Sequence, residues 1–521
     1  MLYRLAFLAA ALAQTLDALG QDTSTSARCL ALQQTLQLEN TTVLDVAYIP
    51  APTNVSTPGS CQSTAPVTSA PLCRVQFVIN TTSTSAVHAE AWLPDTWFGR
   101  FLATGNGGLG GCIDYTAVDY GASLHFATFG TDNGHDGMSG LPFLNHPEVI
   151  NDFAFRAIHV EAVIGKQLIE AYYGVPAAKS YYLGCSTGGR QGTQAALKFP
   201  QDFDGIVAGA PAADFNHLMG WSGMLSHFVG ATAPPDAPVP DTSPKFIPAA
   251  LYPMISAEIL RQCDALDGLV DGIISEPDDC DFNPQALLCP ENKSDNCLTA
   301  VQVQTLKNIF SPIIGEDGKV IYPRYSPGAE GDPAAPNFIL GGTFFPFTAD
   351  WERYVIHNVT KLDFTNFGLA DIALLDKVNA GGISTFDGHM SAFRDRGGKF
   401  LTYHGRRDPL ISSTNSKRVY ELISKTLEMP SLDDFYRLFL IPGMGHCSGG
   451  LGPTAFGQGT APGLNFVNAS SHNILLALVD WVENDVAPAT IIGSGANDTE
   501  RTFCRFPMQS VYNGTTFVCV E

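Results

Sequence analysis

Charge is what this 521-residue chain has least of, since only 15% of its residues are Asp, Glu, Lys or Arg, against about 25% in an average soluble protein. Bases are the scarcer half. There are 29 Lys and Arg against 51 Asp and Glu, for a net charge of −22, and so acidic a chain repels phosphate backbones and argues against nucleic-acid binding. No segment carries about 18 consecutive apolar residues, so no helix that spans a bilayer is expected. No repeat of about 20 to 50 residues is present, which argues against a solenoid. Low complexity is confined to a Ser/Thr-rich stretch near residues 52–70. There is no C-x-x-C pair and no companion H-x-x-x-H, so a zinc site is not expected. Apolar residues, by contrast, are plentiful: 45% hydrophobic and 10% aromatic is enough to bury a core. Gly (50) and Pro (34) are abundant, which predicts long loops. The length fits one large domain with an insertion, or two to three smaller ones.

The compartment follows from the first residues and the cysteines. Arg4 precedes the short apolar run LAFLAAALA (5–13), with small-residue cleavage candidates after Ala13 or Gly20. This is the pattern of a secretory signal, here assigned to residues 1–20, and the run is too short to be a membrane anchor. Eight N-x-S/T sequons begin at Asn40, Asn54, Asn80, Asn292, Asn358, Asn468, Asn497 and Asn513, none with Pro in the middle. Twelve cysteines, all beyond the signal, fit six disulfides in a secreted glycoprotein. Spacing alone does not fix their pairing; Cys289 and Cys297, Cys263 and Cys280, and Cys504 and Cys519 are near neighbours.

Between residues 85 and 212 strand-like and helical patterns alternate. VHAEAWLP (87–94), FLATGNGG (101–108) and LHFATFGT (124–131) come first. Phe153, Ala157, Val160, Ile164, Leu168 and Tyr172 then form one apolar helical stripe that Gly174 and Pro176 end. SYYLG (180–184), a helix to about Lys198 and GIVAGAP (205–211) complete the series. Such alternation predicts a parallel sheet covered by helices, an α/β fold. From 213 to 396 the sequence turns Pro-rich, aromatic and irregular, which predicts an inserted domain. The pattern resumes with KFLTYHG (399–405), a helix near 412–427, FYRLFLIPG (435–443) and a helix near 472–483. The catalytic sheet is therefore expected from 21–212 and 397–521.

The chemistry is expected at the ends of those strands. Gly184-Cys185-Ser186-Thr187-Gly188 is a G-x-S-x-G sequence between a strand and a helix, the context of a nucleophile elbow. Small neighbours let the chain turn sharply while the serine hydroxyl projects above the sheet. The N–H of Thr187, at the helix start, is placed to stabilise an oxyanion. A hydroxyl needs a base and a carboxylate to orient that base, and in an α/β-hydrolase acid then histidine follow the later strands. Asp408 in YHGRRDP and His446 in PGMGHCSGG occupy those places. His135 and His404 are rival histidines, but neither follows the last long strand. Cys185 precedes the serine and Cys447 follows the histidine, so Ser–His contact would bring the two cysteines within bridging range.

These motifs, with TGNGGLGG (104–111), GCSTGGRQG (184–192), AFRDRGGK (392–399) and GMGHC (443–447), closely resemble the tannase and fungal feruloyl esterase family from about Cys29 to Cys519. The resemblance implies a secreted serine esterase with an α/β-hydrolase domain, helices on both faces of its sheet and a large inserted lid. It implies the pairs Cys185–Cys447, Cys29–Cys73, Cys61–Cys112, Cys263–Cys280, Cys289–Cys297 and Cys504–Cys519. It also implies a structural Ca²⁺ in the lid, held by side chains of Asp264, Asp267 and Asp271 and by carbonyls of Leu269 and Ile273. Close acidic residues on a Gly-kinked loop suit that hard cation, although the spacing is not that of an EF-hand. The second oxyanion donor is expected from TGNGG, with Gly107 preferred to Gly108.

Lid aromatics such as those of GGTFFPFTADW (341–351) are expected to recognise a planar phenolic acid. Relatives of this kind cleave gallate esters, hydroxycinnamate esters of plant cell-wall sugars, or terephthalate monoesters. The only Lys-Arg pair, Lys417-Arg418, lies outside the lid, where tannases often carry a dibasic site. That favours ferulate and related acids on cell-wall sugars, with tannase as the alternative and a catalytically silent phenolic- or sugar-binding glycoprotein as a third reading. No membrane partner is expected.

Overall fold

A computed structural model describes residues 25–57, 67–236, 243–291, 295–459 and 469–521. The expected signal segment, Cys61, and the sequons at Asn292 and Asn468 lie outside the described residues. The strands are β1 (Thr41–Ile49), β2 (Leu72–Asn80), β3 (Ala86–Pro94), β4 (Arg100–Thr104), β5 (Ala127–Thr131), β6 (Lys179–Cys185) and β7 (Gly205–Gly209). Then come a small separate pair, β8 (Ile313–Ile314) and β9 (Val320–Tyr322), and the returning strands β10 (Lys399–Gly405) and β11 (Tyr436–Ile441). Nine of these form one sheet in the order β1-β2-β3-β5-β4-β6-β7-β10-β11.

The sheet is mixed, which corrects the all-parallel expectation. From β5 through β4, β6, β7 and β10 to β11 every pairing is parallel. β1–β2, β2–β3 and β3–β5 are antiparallel. For β2 and β3 the physical reason is connection length: residues 81–85 suffice for a hairpin but not for a crossover. Four more short strands near the C-terminus escaped the sequence pattern. β12 (Thr490–Ser494) pairs with β13 (Glu500–Cys504), and β14 (Gln509–Tyr512) pairs with β15 (Phe517–Val520).

Successive strand residues face opposite layers, as a two-residue period requires. Phe101, Ala103, Tyr182, Ile206 and Leu438 pack in one layer, with the helices Ala157–Tyr173 and Thr414–Thr426. Their neighbours Leu102, Tyr181, Val207 and Phe439 pack in the other, with the helix Ile474–Asn484. That last helix starts where the Asn473 side chain accepts the N–H of Leu476. Helix Ala157–Tyr173 ends at Gly174, at a φ of 77° that glycine tolerates. Phe153, expected in that helix, lies in the π-helical turn Asp152–Arg156 that leads directly into it.

Residues 213–396 lie between β7 and β10, which are adjacent parallel strands, and add no strand to the sheet. The stretch builds a core of its own, in which Trp221 packs on Tyr322 and Tyr325, and Phe310 on Tyr325. Phe143, Phe153 and Ile411 join that core from outside the stretch. Five of the expected disulfides form: Cys29–Cys73, Cys185–Cys447, Cys263–Cys280, Cys289–Cys297 and Cys504–Cys519. Cys112 is also disulfide-bonded. Among the described residues no helix is long and apolar enough to cross a membrane. The six sequon asparagines among them, Asn40, Asn54, Asn80, Asn358, Asn497 and Asn513, are all exposed.

Candidate active site

Because β6, β10 and β11 run parallel, the residues that follow them emerge on one edge of the sheet. Ser186 directly follows β6 and adopts φ 64° and ψ −121°, a conformation that L-residues rarely hold. Its surroundings hold it there. Its N–H donates to the Gly209 carbonyl (2.9 Å), and its own carbonyl accepts from the N–H groups of Arg190 and Ala212 (3.1 Å each). The flanking glycines are required by close approach: a Cβ on Gly184 would lie 2.8 Å from the Gly188 carbonyl oxygen, and one on Gly189 would lie 2.3 Å from that of Gly209.

Helix Thr187–Lys198 begins immediately after the serine, so the Thr187 amide has no acceptor within the helix and sits at the positive end of its dipole. The Thr187 hydroxyl donates to the Gly108 carbonyl (2.6 Å), tying the elbow to the TGNGG loop. That loop is held from beneath by a buried amide network that the sequence did not reveal. The Asn106 N–H donates to Gln191 Oε1 (3.0 Å), and Gln191 Nε2 donates to Asn106 Oδ1 (2.9 Å) and Asn133 Oδ1 (3.0 Å). Gln191 lies in the quoted GCSTGGRQG motif, and a long amide amid small residues on a buried helix was the signal available. A Cβ on Gly107 would meet open space, whereas one on Gly108 would press on the Phe347 ring at 2.7 Å.

Asp408 lies just past β10 and is buried. Its Oδ1 accepts the N–H groups of Leu410 (2.8 Å) and Ile411 (3.0 Å), so it also caps the turn at Pro409. Its Oδ2 accepts from His446 Nδ1 (2.7 Å) and His404 Nε2 (3.2 Å). Burial by itself would raise the Asp408 pKa. The charge of His446 and the hydrogen bonds from His404 and His446 more than offset this and hold the carboxyl well below its ordinary range. His446 follows β11. Burial disfavours its charged form, but the charge and hydrogen bond of Asp408, with a smaller contribution from Asp332, raise its pKa above the ordinary value. With Nδ1 engaged, Nε2 is the nitrogen left for chemistry. The bridge Cys185–Cys447, with a Cα separation of 5.9 Å, fastens the residue before Ser186 to the residue after His446.

Ser186 and His446 line two cavities that meet at Gly108, Phe347 and Leu410. One, of about 40 Å³, is narrow and apolar, walled by Phe215, Leu218, Met219, Phe345 and Ile411. The other, of about 330 Å³, is wider and adds Asn106, Asp114 and Gln458. The aromatic run 341–351 divides its work: Phe345 and Phe347 face the site, while Phe344 stacks on Phe364 and Trp351 packs on Phe143, Phe153 and Phe215. His135 is spent elsewhere, its Nε2 on the Leu109 carbonyl (2.7 Å) and its pKa lowered by burial.

The segment expected to hold calcium closes on itself. Asp264 accepts the Gly272 N–H (3.1 Å), Asp267 that of Leu269 (3.0 Å) and Asp271 that of Ile273 (3.0 Å). Burial raises the Asp271 pKa, the Ile273 N–H and the charge of Arg501 oppose the rise, and the charges of Asp267 and Asp264 add to it. Among the described residues no three His, Cys, Asp or Glu side chains gather into a metal-holding group. The expected set depends on the carbonyls of Leu269 and Ile273 as well, and every donor in it is a hard oxygen of the kind calcium takes.

A strained serine elbow, a buried acid paired to a histidine, and their placement after the parallel strands β6, β10 and β11 define an α/β-hydrolase. The chain belongs to the tannase and feruloyl esterase family, whose model, described as "Tannase and feruloyl esterase", matches residues 73–521. It is 42% identical over 511 residues to "Probable feruloyl esterase B" of Aspergillus clavatus, covering 95% of each chain. Two crystal structures from Aspergillus oryzae superpose on 95% of this chain and on the whole of theirs. One is described as an esterase (TM-score 0.90, 42% identity) and the other as feruloyl esterase B (TM-score 0.89, 40% identity).

Proposed function

We propose that this chain is a secreted serine carboxylic ester hydrolase that releases ferulic and related hydroxycinnamic acids from esters of plant cell-wall sugars. The observation that carries the proposal is the Asp408–His446 pair beside the strained Ser186, in a cleft with one narrow arm and one wider arm that adds the side chains of Asn106, Asp114 and Gln458. Relatives named feruloyl esterase B at about the same similarity along nearly the whole chain support the acyl group. In this reading Ser186 attacks the ester carbonyl while His446 Nε2 takes its proton, and Asp408 stabilises the imidazolium. The N–H groups of Thr187 and Gly107 stabilise the oxyanion, His446 protonates the departing alcohol, and water then cleaves the acyl-enzyme. The narrow arm suits an aromatic acyl ring, and the wider arm, with Asn106, Asp114 and Gln458 on its wall, a sugar.

Initial rates on methyl ferulate, methyl caffeate and methyl gallate at equal concentration, with Ser186→Ala as blank, test the proposal. Faster release of the cinnamic acids is expected. A preference for gallate would make the enzyme a tannase, and no hydrolysis of any of the three would sink the esterase reading. Calcium belongs to the same proposal: Asp264, Asp267 and Asp271, with the carbonyls of Leu269 and Ile273, would hold one ion and brace the loop closed by Cys263–Cys280. Chelation is then expected to lower the thermal midpoint and calcium to restore it, whereas a midpoint indifferent to both would refute the site.

A further inference from the structure

His404, one of the rival histidines, is fully buried behind the acid rather than facing the cleft. Its Nε2 lies 3.2 Å from Asp408 Oδ2 and 3.1 Å from the Ile411 carbonyl oxygen. Both neighbours act as acceptors, so Nε2 carries a proton and donates it. Nδ1 lies 2.8 Å from the Ser416 hydroxyl, which can donate or accept as the ring requires. The Asp408 carboxylate thus receives four donors, divided between two tasks. Oδ1 is held by the backbone N–H groups of Leu410 and Ile411, which fix its orientation whatever occupies position 404. Oδ2 is shared by two imidazoles, His446 at 2.7 Å and His404 at 3.2 Å.

We propose that His404 is a positioning residue that, by sharing Asp408 Oδ2, limits how strongly Asp408 holds a proton on His446, so that the base is free at lower pH than an unshared pair would allow. The inference rests on the triad assigned above. A donor to the carboxylate draws charge away from the bond to His446, and its removal leaves the imidazolium better stabilised. The other groups around the pair are few. From the insertion, Asp332 adds negative charge near His446 and is itself paired with Arg407 at 3.3 Å. Tyr322 and Tyr325, also from the insertion, are buried, and burial pushes both well above the ordinary tyrosine range, so they stay neutral. Arg406 is turned away to Glu276 and Asp278, at 2.9 Å each. From helix Thr414–Thr426, Ser416 meets the ring, and Arg418 is turned to Asp214 at 3.8 Å.

The test is the pH profile of kcat/KM on methyl ferulate for the full chain, His404→Leu, His404→Gln and Ser416→Ala, each checked for folding by its thermal midpoint and by fluorophosphonate labelling. His404→Leu is expected to move the acid limb upward by about half a pH unit or more, with KM on the plateau changed less than about twofold. His404→Gln, whose amide can still donate to Oδ2, is expected to bring the limb back toward its original position. Ser416→Ala loosens His404 without removing it and is expected to give a smaller upward move, which keeps the test open if His404→Leu does not fold. A folded His404→Leu with its limb unmoved or displaced downward overturns the proposal, as does an unmoved limb in Ser416→Ala where His404→Leu fails to fold. Failure of the triad itself would show differently, as activity retained in Ser186→Ala.

Discussion

Ser186, Asp408 and His446 stand on the edge of a nine-stranded sheet, each fixed by backbone hydrogen bonds or by a disulfide within a few residues. Phe345 and Phe347, which face them, come from a stretch that adds no strand to that sheet and packs on aromatic clusters of its own. The two regions meet through charges as well as through apolar contacts: Arg406 and Lys417 bind Glu276 and Asp278, and Arg407 binds Asp332. The difference separates two requirements of an esterase. Bond-breaking groups need placement to within a fraction of an ångström, which parallel strands supply, whereas a pocket wall needs only shape and polarity and can be built on irregular chain.

If that division holds, the largest effect belongs to the sheet edge. Asp408→Asn keeps the size and the turn-capping oxygen but leaves His446 without its charge partner, and kcat is expected to fall about 10⁴-fold with little change in KM. Steady-state rates with active-site titration measure this. A loss below about tenfold would show that Asp408 serves mainly as the cap of its turn and that the acid lies elsewhere.

Second in size is the bridge that joins the two halves of the sheet edge. Cys185 and Cys447 are 262 residues apart in sequence, and Cys447, like Ser186, holds a positive φ. Replacing both cysteines by alanine releases a long loop and is expected to cost about 2–5 kcal/mol of stability. A fall in kcat larger than the fall in folded fraction would show that the bridge also sets the Ser186–His446 geometry. Unfolding curves and rates on the same preparation separate the two.

How far each region could be read in advance follows the same line. The strands 180–184, 399–405 and 435–443 were found because their apolar runs are short, bounded and followed by Gly or Pro, and Ser186, Asp408 and His446 followed from strand order. β1 was missed because it is the edge strand and buries only Val46, so no apolar run marks it; β2 lies inside the sheet, but Arg74 and Gln76, which bind Glu90 of β3, interrupt its apolar residues. The insertion was recognised only as a change of composition. Its helices, such as Phe215–Phe228 and Tyr252–Cys263, are separated by irregular chain and by π turns at Ala335–Ile339 and Trp351–Ile356, so no alternation of strand and helix persists along it. Gln191 was visible as a residue but not as a partner, since Asn106 lies 85 residues away in sequence; His404 is only four residues from Asp408, but its sharing of Oδ2 depends on the turn at Pro409.

The smallest effect should come from the wall, and it carries the most information about which arm takes the acyl group. Phe347 stands where both cavities meet, against Gly108 and beside Phe338 and Phe345. Phe347→Ala is expected to raise KM for methyl ferulate about tenfold, which corresponds to about 1.4 kcal/mol of lost contact with an aromatic ring. Hydrolysis of 4-nitrophenyl acetate, whose acyl group has no ring to place there, should change by less than about twofold. Equal losses on both substrates would mean that Phe347 supports the Gly107–Gly108 loop rather than the substrate, and the separation between a catalytic edge and a recognising wall would fail at the place where the two touch.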